Sequence, residues 1–132
     1  MSRQESRHPE DWLTKARQDL TRVRVLLDVD DPEGAGFHLQ QAVEKALKSF
    51  LLSQGVMPRR IHDLGILLDE VGSFRPDLEQ FRGLCDLATD LYMYMPQRYL
   101  FLAVQPPSKA EVEALLAQAQ ALLQKIEEVF AP

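Results

Sequence analysis

The chain has 132 residues, of which 45% are hydrophobic and 27% charged, and its formal net charge is 15 − 20 = −5. This length and composition fit one globular domain over residues 1–132, with a folded core over about residues 10–130, and exclude a second full domain. One cysteine and three histidines are too few for a closed Cys/His zinc site, so a structural zinc finger is excluded.

The charge is uneven along the chain. Met1–Ile61 carries 10 basic and 9 acidic residues, whereas His62–Pro132 carries 5 and 11. Any anion-binding surface is therefore expected to be local. No run of about 18 apolar residues marks a membrane helix, and the first residues lack the apolar core of a signal peptide. We therefore expect a cytoplasmic protein with no membrane partner.

Hydrophobic residues at steps of three and four predict two long helices in the first part of the chain. They cover about Glu10–Val29 and about Ala35–Gln54. Pro9 occupies a position typical of the first turn of a helix. Residues 30–34 interrupt the pattern, and Gly55 ends the second helix. The two helices are expected to form a hairpin.

Three further helices are predicted in the rest of the chain. A short one covers Ile61–Val71, a longer one runs from Pro76 to about Met95 and is ended by Pro96, and the last reaches Phe130. Ser108 and Glu111 have the spacing of a capping box at the start of the last helix. No alternating strand pattern competes. The predicted fold is all-α, an up-and-down four-helix bundle with an additional short helix.

The second predicted helix carries a polar stripe. His38, Gln41, Lys45 and Lys48 recur at steps of three or four, and Glu44 borders them. The stripe is either a solvated helix face or a polar strip that lines a groove between helices. The spacing leaves both interpretations open.

A cluster of Arg59, Arg60 and His62, with Asp63 beside it, precedes the short helix. Backbone N–H groups and positive charge at a helix N-terminus can hold a phosphate, which Asp63 would oppose. Alternatively, the arginines are a solvated pair and His62 caps the helix.

Arg98 and Tyr99 lie in a long connection, residues 96–107, between the last two helices. Long connections in compact domains often carry function or contact a partner. An arginine beside aromatic residues can bind a phosphate or stack on a base, whereas a structural arginine pairs with a carboxylate such as Asp90. The sequence contains no glycine-rich phosphate loop, GxSxG turn or HExxH pair, and no cofactor or metal is expected. Cys85 is predicted to be packed and inert.

Four segments, taken together, resemble the HEPN domain family, a helical family named for its occurrence in higher eukaryotes and prokaryotes and for nucleotide binding. They are WLTKARQDL, the glutamine-glutamine-alanine-x-glutamate-lysine helix FHLQQAVEKALKSFLL, the His-Asp-Leu turn IHDLGILL and the tyrosine-rich ending YMYMPQRY. They occur in the order found in the family, and the resemblance spans from about Trp12 to the final helix, nearly the whole chain.

The resemblance implies a homodimeric four-helix bundle, often encoded beside a minimal nucleotidyltransferase as a toxin–antitoxin pair. Many members are metal-independent RNases that use an arginine and a following histidine, with four to six residues between the two. After Arg98 the corresponding positions hold Ala103, Val104 and Gln105, so this histidine is absent. Leu100 also replaces the proline that usually follows the arginine-tyrosine pair.

The resemblance and the missing histidine favour a non-catalytic dimer that binds nucleotide or RNA phosphate and partners a nucleotidyltransferase. The residues expected to bind the ligand are Gln41, Glu44, Lys45, His62, Asp63, Arg98 and Tyr99. Tyr99 is also a candidate for modification by the partner.

Two alternatives stay open. One is a metal-independent RNase in which His62 or His38 assists Arg98, because RNA cleavage needs a proton acceptor and an arginine does not titrate near neutrality. The other is a structural or regulatory interaction domain without a nucleotide ligand, suggested by the acidic second half and the apolar middle of the 96–107 connection.

Overall fold

The computed structural model describes residues 5–97 and 106–130, with the backbone alone for residues 94–97. These residues form five α-helices and two 3₁₀ helices, and the described ranges contain no strand. The predicted all-α fold, with four long helices and a short one, is confirmed. The α-helices are α1 (Pro9–Asp28), α2 (Pro32–Ser53), α3 (Leu64–Gly72), α4 (Arg82–Gln97) and α5 (Lys109–Glu127), and the 3₁₀ helices are Pro76–Phe81 and Glu128–Phe130.

α2 begins at Pro32, three residues before the predicted start at Ala35. The side chain of Asp31 caps the helix by accepting a hydrogen bond of 3.0 Å from the backbone N–H of Gly34. Proline suits the first helical position, where its missing N–H would have no partner within the helix. The residues expected to interrupt the helix therefore start it.

α3 begins at Leu64, whereas the sequence pattern placed its start at Ile61. Asp63 is the N-cap, and its carboxylate accepts hydrogen bonds from the backbone N–H groups of Gly65 (2.9 Å) and Ile66 (3.3 Å). The alternative in which His62 caps this helix is therefore wrong.

The helix predicted from Pro76 is divided into two parts. A 3₁₀ helix covers Pro76–Phe81, and α4 starts at Arg82. α4 continues through Pro96 to Gln97, the last described residue before the 98–105 gap, so the prediction that Pro96 ends the helix is wrong. A proline inside a helix removes one hydrogen bond to the carbonyl four residues earlier, which disfavours the helix without forbidding it.

α2 is the central helix and contacts the other four. It runs antiparallel to α1: the hydroxyl of Ser49 donates to the carbonyl of Pro9 at 3.0 Å, while Asp19, further along α1, meets His38, near the start of α2. The predicted hairpin is confirmed. This arrangement leaves α2 with several polar residues that must find partners inside the bundle.

α1 also lies antiparallel to α5. Arg17 pairs with Glu127 at 2.8 Å, and Arg24 pairs with Glu113 at 3.3 Å. The serine half of the predicted capping box is present at the start of α5: the Ser108 hydroxyl accepts from the Glu111 backbone N–H at 3.1 Å, and it donates to the Glu111 carboxylate at 3.0 Å.

Gly36 brings α2 close to α4. A Cβ atom at this position would lie 3.3 Å from the Leu91 side chain, a tight contact. The next residues along the two helices, Phe37 and Tyr92, have their ring centroids 6.0 Å apart. The close approach thus positions aromatic rings at this end of the bundle.

Cys85 lies on α4 and is fully buried in the leucine-rich core. Burial raises the pKa of its thiol to about 12, because a thiolate is poorly solvated there. Cys85 is therefore a packed, unreactive thiol, as its inward position in the sequence pattern predicted.

None of the helices in the described ranges combines the length and the apolar character needed to cross a lipid bilayer.

Candidate functional site

Two buried carboxylates flank the polar face of α2. Asp19 projects from α1 and Glu44 from α2 itself, and their side chains are only 2% and 7% exposed. A buried carboxylate is costly unless donors surround it. Each of these two is met by one histidine and at least one lysine, which makes them the centres of two separate polar clusters.

The Glu44 cluster fixes His62. Nδ1 of His62 lies 2.8 Å from Oε1 of Glu44, and Nζ of Lys48 lies 3.3 Å from Oε2. The amide of Gln40 donates to Glu44 at 3.2 Å and to the backbone carbonyl of His62 at 3.1 Å. Gln41 in turn donates to the Gln40 side-chain oxygen at 2.7 Å. Both the ring and the backbone of His62 are thus held in place by α2.

Although Nδ1 and the backbone carbonyl of His62 have hydrogen-bond partners, the rest of the ring remains accessible to solvent. The side chain is 54% exposed, and Nε2 has no hydrogen-bond partner among the described residues. When the neutral ring donates Nδ1–H to Glu44, Nε2 carries the lone pair and can accept a proton; when the ring is protonated, Nε2–H can donate to an anion. The cluster therefore presents one oriented, chemically versatile nitrogen to the surface.

Four aromatic rings form a row. They belong to His38 and Phe37 of α2, Tyr92 of α4, and His62 in the loop before α3. His62 stacks on Tyr92 with centroids 4.9 Å apart and an interplanar angle of 27°. Tyr92 stacks on Phe37 at 6.0 Å and 22°, and Phe37 meets the His38 ring edge-on at 5.5 Å. His62 is one end of this ring row, and a stacked ring at an exposed end can extend to a nucleobase.

The Asp19 cluster lies on the α1 side of α2. Oδ1 of Asp19 accepts from Arg22 at 3.1 Å and lies 3.0 Å from Nδ1 of His38, and Oδ2 accepts from Lys45 at 2.5 Å. One carboxylate thus meets two full positive charges and a histidine. The cluster has a surplus of positive charge even when His38 is neutral.

The predicted polar stripe is divided between these clusters. His38 and Lys45 join Asp19, whereas Lys48 is buried against Glu44 and is not part of a solvated face. Successive residues of an α-helix point about 100° apart, so Glu44 and Lys45 serve different sides of α2. The sequence pattern could not separate them.

The remaining predicted residues have other partners or lie elsewhere. Arg59 pairs with Glu70 at 2.8 Å, and the Asp63 carboxylate is used by the first amides of α3. Arg98 and Tyr99 lie outside the described residues, as does most of the connection that holds them. Within the described ranges, no group of three or more His, Cys, Asp or Glu side chains is arranged to hold a metal ion.

Asp19 and Gln40 were missed at the sequence level. Asp19 lies in the apolar face of α1, beside Leu20 and between Ala16 and Val23, all of which are buried. A carboxylate in an apolar stripe indicates a buried partner, so the sequence itself contained a signal that could have identified Asp19. Gln40 gives no such signal, because its role depends on the backbone of His62.

Comparisons with known proteins agree with this architecture. The HEPN domain family model matches residues 9–129. The fold is similar to the crystal structure of TT1696 from Thermus thermophilus, with a TM-score of 0.75 and 29% identity over 91% of this chain and 96% of that one. It is also similar to ST0689, an archaeal HEPN homologue, with a TM-score of 0.74 and 23% identity over 94% of this chain and 98% of that one. No curated protein matches the sequence. Since the family model spans all five α-helices, the chain belongs to the HEPN domain family.

Proposed function

We propose that this HEPN domain binds nucleotide or RNA phosphate at the exposed end of the ring row, and that it does not cleave the bound ligand. The observation that carries the proposal is the exposed His62 ring, which is held through Nδ1 by the buried Glu44 and stacked on Tyr92. A ring that is already oriented loses little conformational freedom on binding, so its contacts contribute more fully to affinity.

The chemistry of this surface suits a phosphate joined to a base. The outer face of His62 can stack on a nucleobase, while Nε2–H can donate to a phosphate oxygen. Arg98 and Tyr99 follow Tyr92 closely in sequence, and we propose that they complete the site with a bidentate guanidinium contact and a further ring. In this proposal Glu44 and Gln41 act by holding the site together, whereas His62 and Arg98 touch the ligand.

Assembly is part of the proposal. The family resemblance supports a homodimer that associates with a minimal nucleotidyltransferase in a toxin–antitoxin type system. Leu87 and Met93 of α4 are large apolar side chains that are 53% and 46% exposed, and burying them would favour association.

A second candidate function is metal-independent RNA cleavage, and the Glu44–His62 pair specifically favours it. A carboxylate that orients an imidazole through Nδ1 leaves Nε2 able to accept the proton of a ribose 2′-OH. The 2′-oxygen would attack phosphorus, the bond to the 5′-oxygen would break, and the departing oxygen would take up a proton from an acid. The products are a 2′,3′-cyclic phosphate and a 5′-hydroxyl end.

The test uses purified protein with structured and unstructured RNA in excess EDTA. His62→Ala and Arg98→Ala are compared with His8→Ala, which removes an exposed histidine far along the chain from the site. We expect no cleavage by any of the proteins. We also expect the single-stranded RNA to bind the wild type and His8→Ala equally but His62→Ala and Arg98→Ala about tenfold more weakly.

Other results would change the assignment. Cleavage by the wild type that is lost in His62→Ala and Arg98→Ala but retained in His8→Ala would establish the RNase. Cleavage that is equal in all four preparations would indicate a contaminating nuclease. Absence of RNA and nucleotide binding, together with loss of dimerisation in Phe101→Asp, would favour the structural interaction domain.

A further inference from the structure

Lys48 is a buried cation that contacts two side chains. Its own side chain is only 6% exposed, and Nζ lies 3.3 Å from Oε2 of Glu44. Nζ also lies 5.7 Å from the centroid of the Trp12 ring, within cation–π range. A buried ammonium group is stable only when such contacts replace the water that it has lost. Glu44 and Trp12 supply these contacts from two different helices.

The Trp12 ring is held at the start of α1. Its indole N–H donates to the carbonyl of Ser6 at 2.7 Å. One residue after Lys48, the Ser49 hydroxyl donates to the carbonyl of Pro9 at 3.0 Å. These two hydrogen bonds fix the start of α1 against the part of α2 that carries Lys48.

The contacts continue from Lys48 to the exposed histidine. Glu44 and Lys48 are one helical turn apart, so their side chains share one face of α2. Lys48 binds Oε2 of the carboxylate and leaves Oε1 for Nδ1 of His62. Among the described residues, Lys48 is the only permanent cation in ion-pair contact with Glu44. A continuous series of contacts thus runs from Trp12 to the His62 ring.

The charge of Lys48 bears on which nitrogen of His62 carries the proton. An ionised carboxylate only accepts hydrogen bonds, so a neutral ring beside Glu44 keeps its proton on Nδ1 and its lone pair on Nε2. A buried carboxylate without a cation beside it is poorly stabilised, and it either takes up a proton or turns towards solvent. Either change removes the acceptor at Nδ1 and lets the ring proton move to Nε2.

We propose that Lys48 and Trp12 are positioning residues for His62. Lys48 keeps Glu44 an ionised and oriented acceptor, and Trp12 keeps Lys48 in place. Neither residue touches the ligand. The inference rests on the proposed function for the part that His62 plays in binding, whereas the position of the ring proton can be measured without any ligand.

Nuclear magnetic resonance of the full-length protein labelled with ¹⁵N-histidine locates this proton. At about pH 8.5 an ordinary histidine is neutral, and the nitrogen shifts show which ring nitrogen is protonated. The His62 signals are assigned by their absence from His62→Ala. We expect the proton on Nδ1 in the wild type and mainly on Nε2 in Lys48→Met.

Three further variants separate positioning from stability. Trp12→Leu removes the aromatic face but leaves the ion pair, so part of the ring population should shift to Nε2–H. Trp12→Phe keeps an aromatic face and should retain most of the wild-type signature. Lys15→Met removes an exposed lysine of α1 that has no ion pair in the described ranges, and it should leave the signature unchanged. A loss of stability alone would not move the proton in the molecules that remain folded.

Binding of single-stranded RNA by the same proteins connects the ring proton to the proposed function. Lys48→Met should bind about threefold more weakly than the wild type, because its His62 ring is present but no longer oriented. This loss is smaller than the one expected for His62→Ala. Lys15→Met should bind as the wild type does.

Three results would overturn the proposal. They are a wild-type ring protonated on Nε2, retention of the wild-type signature in both Lys48→Met and Trp12→Leu, and loss of that signature in Lys15→Met. If the proton moves in Lys48→Met as expected but the wild type does not bind RNA, the proposed function fails and the positioning of His62 stands. If RNA binding depends on His62 but the proton stays on Nδ1 in Lys48→Met, the proposed function stands and the positioning role is refuted.

Discussion

Glu44 and His62 are joined by a contact of 2.8 Å between Oε1 and Nδ1, although Glu44 lies in α2, His62 lies in the loop before α3, and the two side chains differ greatly in exposure. The carboxylate is buried and the imidazole is half-exposed, so the pair connects the interior of the bundle to its surface. Because Lys48 occupies the other oxygen of Glu44, the orientation of His62 depends on a buried ion pair.

Replacing one member of that ion pair should be more harmful than replacing both. Glu44→Gln leaves the ammonium group of Lys48 buried without a counter-charge, and we expect it to lower the free energy of unfolding by about 3 kcal/mol. Glu44→Gln combined with Lys48→Met should recover part of this loss, with a coupling energy of about 1–3 kcal/mol. Urea denaturation of the wild type, both single variants and the double variant measures it. Simple additivity would contradict a coupled pair.

Two glycines should respond to alanine in opposite directions. Gly83 lies in α4, and a Cβ atom there would meet nothing within 4 Å, so Gly83→Ala should stabilise the protein by about 0.5–1 kcal/mol. Gly55 has a φ angle of 80°, which disfavours side chains, so Gly55→Ala should cost about 1 kcal/mol. Thermal and urea unfolding of Gly83→Ala, Gly55→Ala and the wild type measure the two changes in the free energy of unfolding. Equal effects would mean that the Gly55 conformation is not required.

The cap of α5 provides a local test. The Ser108 hydroxyl accepts from the Glu111 backbone N–H and also lies 3.0 Å from the Glu111 carboxylate. Ser108→Ala should lower the free energy of unfolding by about 1 kcal/mol, because an amide at the helix start loses its partner. Ser108→Asp, which preserves an acceptor, should retain most of the stability. If both variants were equally unstable, the hydroxyl would have a role other than capping.

Cys85 should make the protein sensitive to alkaline pH. Burial raises the pKa of its thiol from 9.0 to about 12, so the folded state resists deprotonation. The buried neutral thiol makes its full contribution to stability below pH 9. As the pH rises towards 12, the thiol ionises in the unfolded chain but not in the folded one, so stability falls by up to about 1.4 kcal/mol per pH unit. Urea unfolding of the wild type and Cys85→Ala between pH 8 and about 11 measures it. We expect a shallower decline in the variant, and identical slopes would contradict the assignment.

The sequence predicted the helices better than the site. Apolar spacing identified every α-helix, because each buries one face against α2 or its neighbours. The predicted starts of α2 and α3 differ from the observed ones by three residues each, at the points where Asp31 and Asp63 cap the helices. Aspartate is common both in turns and at helix caps, so the sequence alone does not distinguish the two roles.

The candidate site depends on contacts that no local pattern contains. The sequence identified His62 as a candidate residue. Its hydrogen bond to Glu44, however, connects α2 to the loop before α3 and becomes visible only in the folded structure. Likewise, spacing placed His38, Lys45 and Lys48 on one stripe, and only Asp19 from α1 shows that they serve different clusters.

The buried position of Cys85 also makes the protein convenient to label. The chain contains a single cysteine, and the folded state keeps it away from solvent as an unreactive thiol. A cysteine introduced at an exposed position such as Met93 or Val29 would therefore be the one thiol that a maleimide probe reaches. Fluorophores or spin labels at these positions could then follow subunit association in the otherwise native sequence.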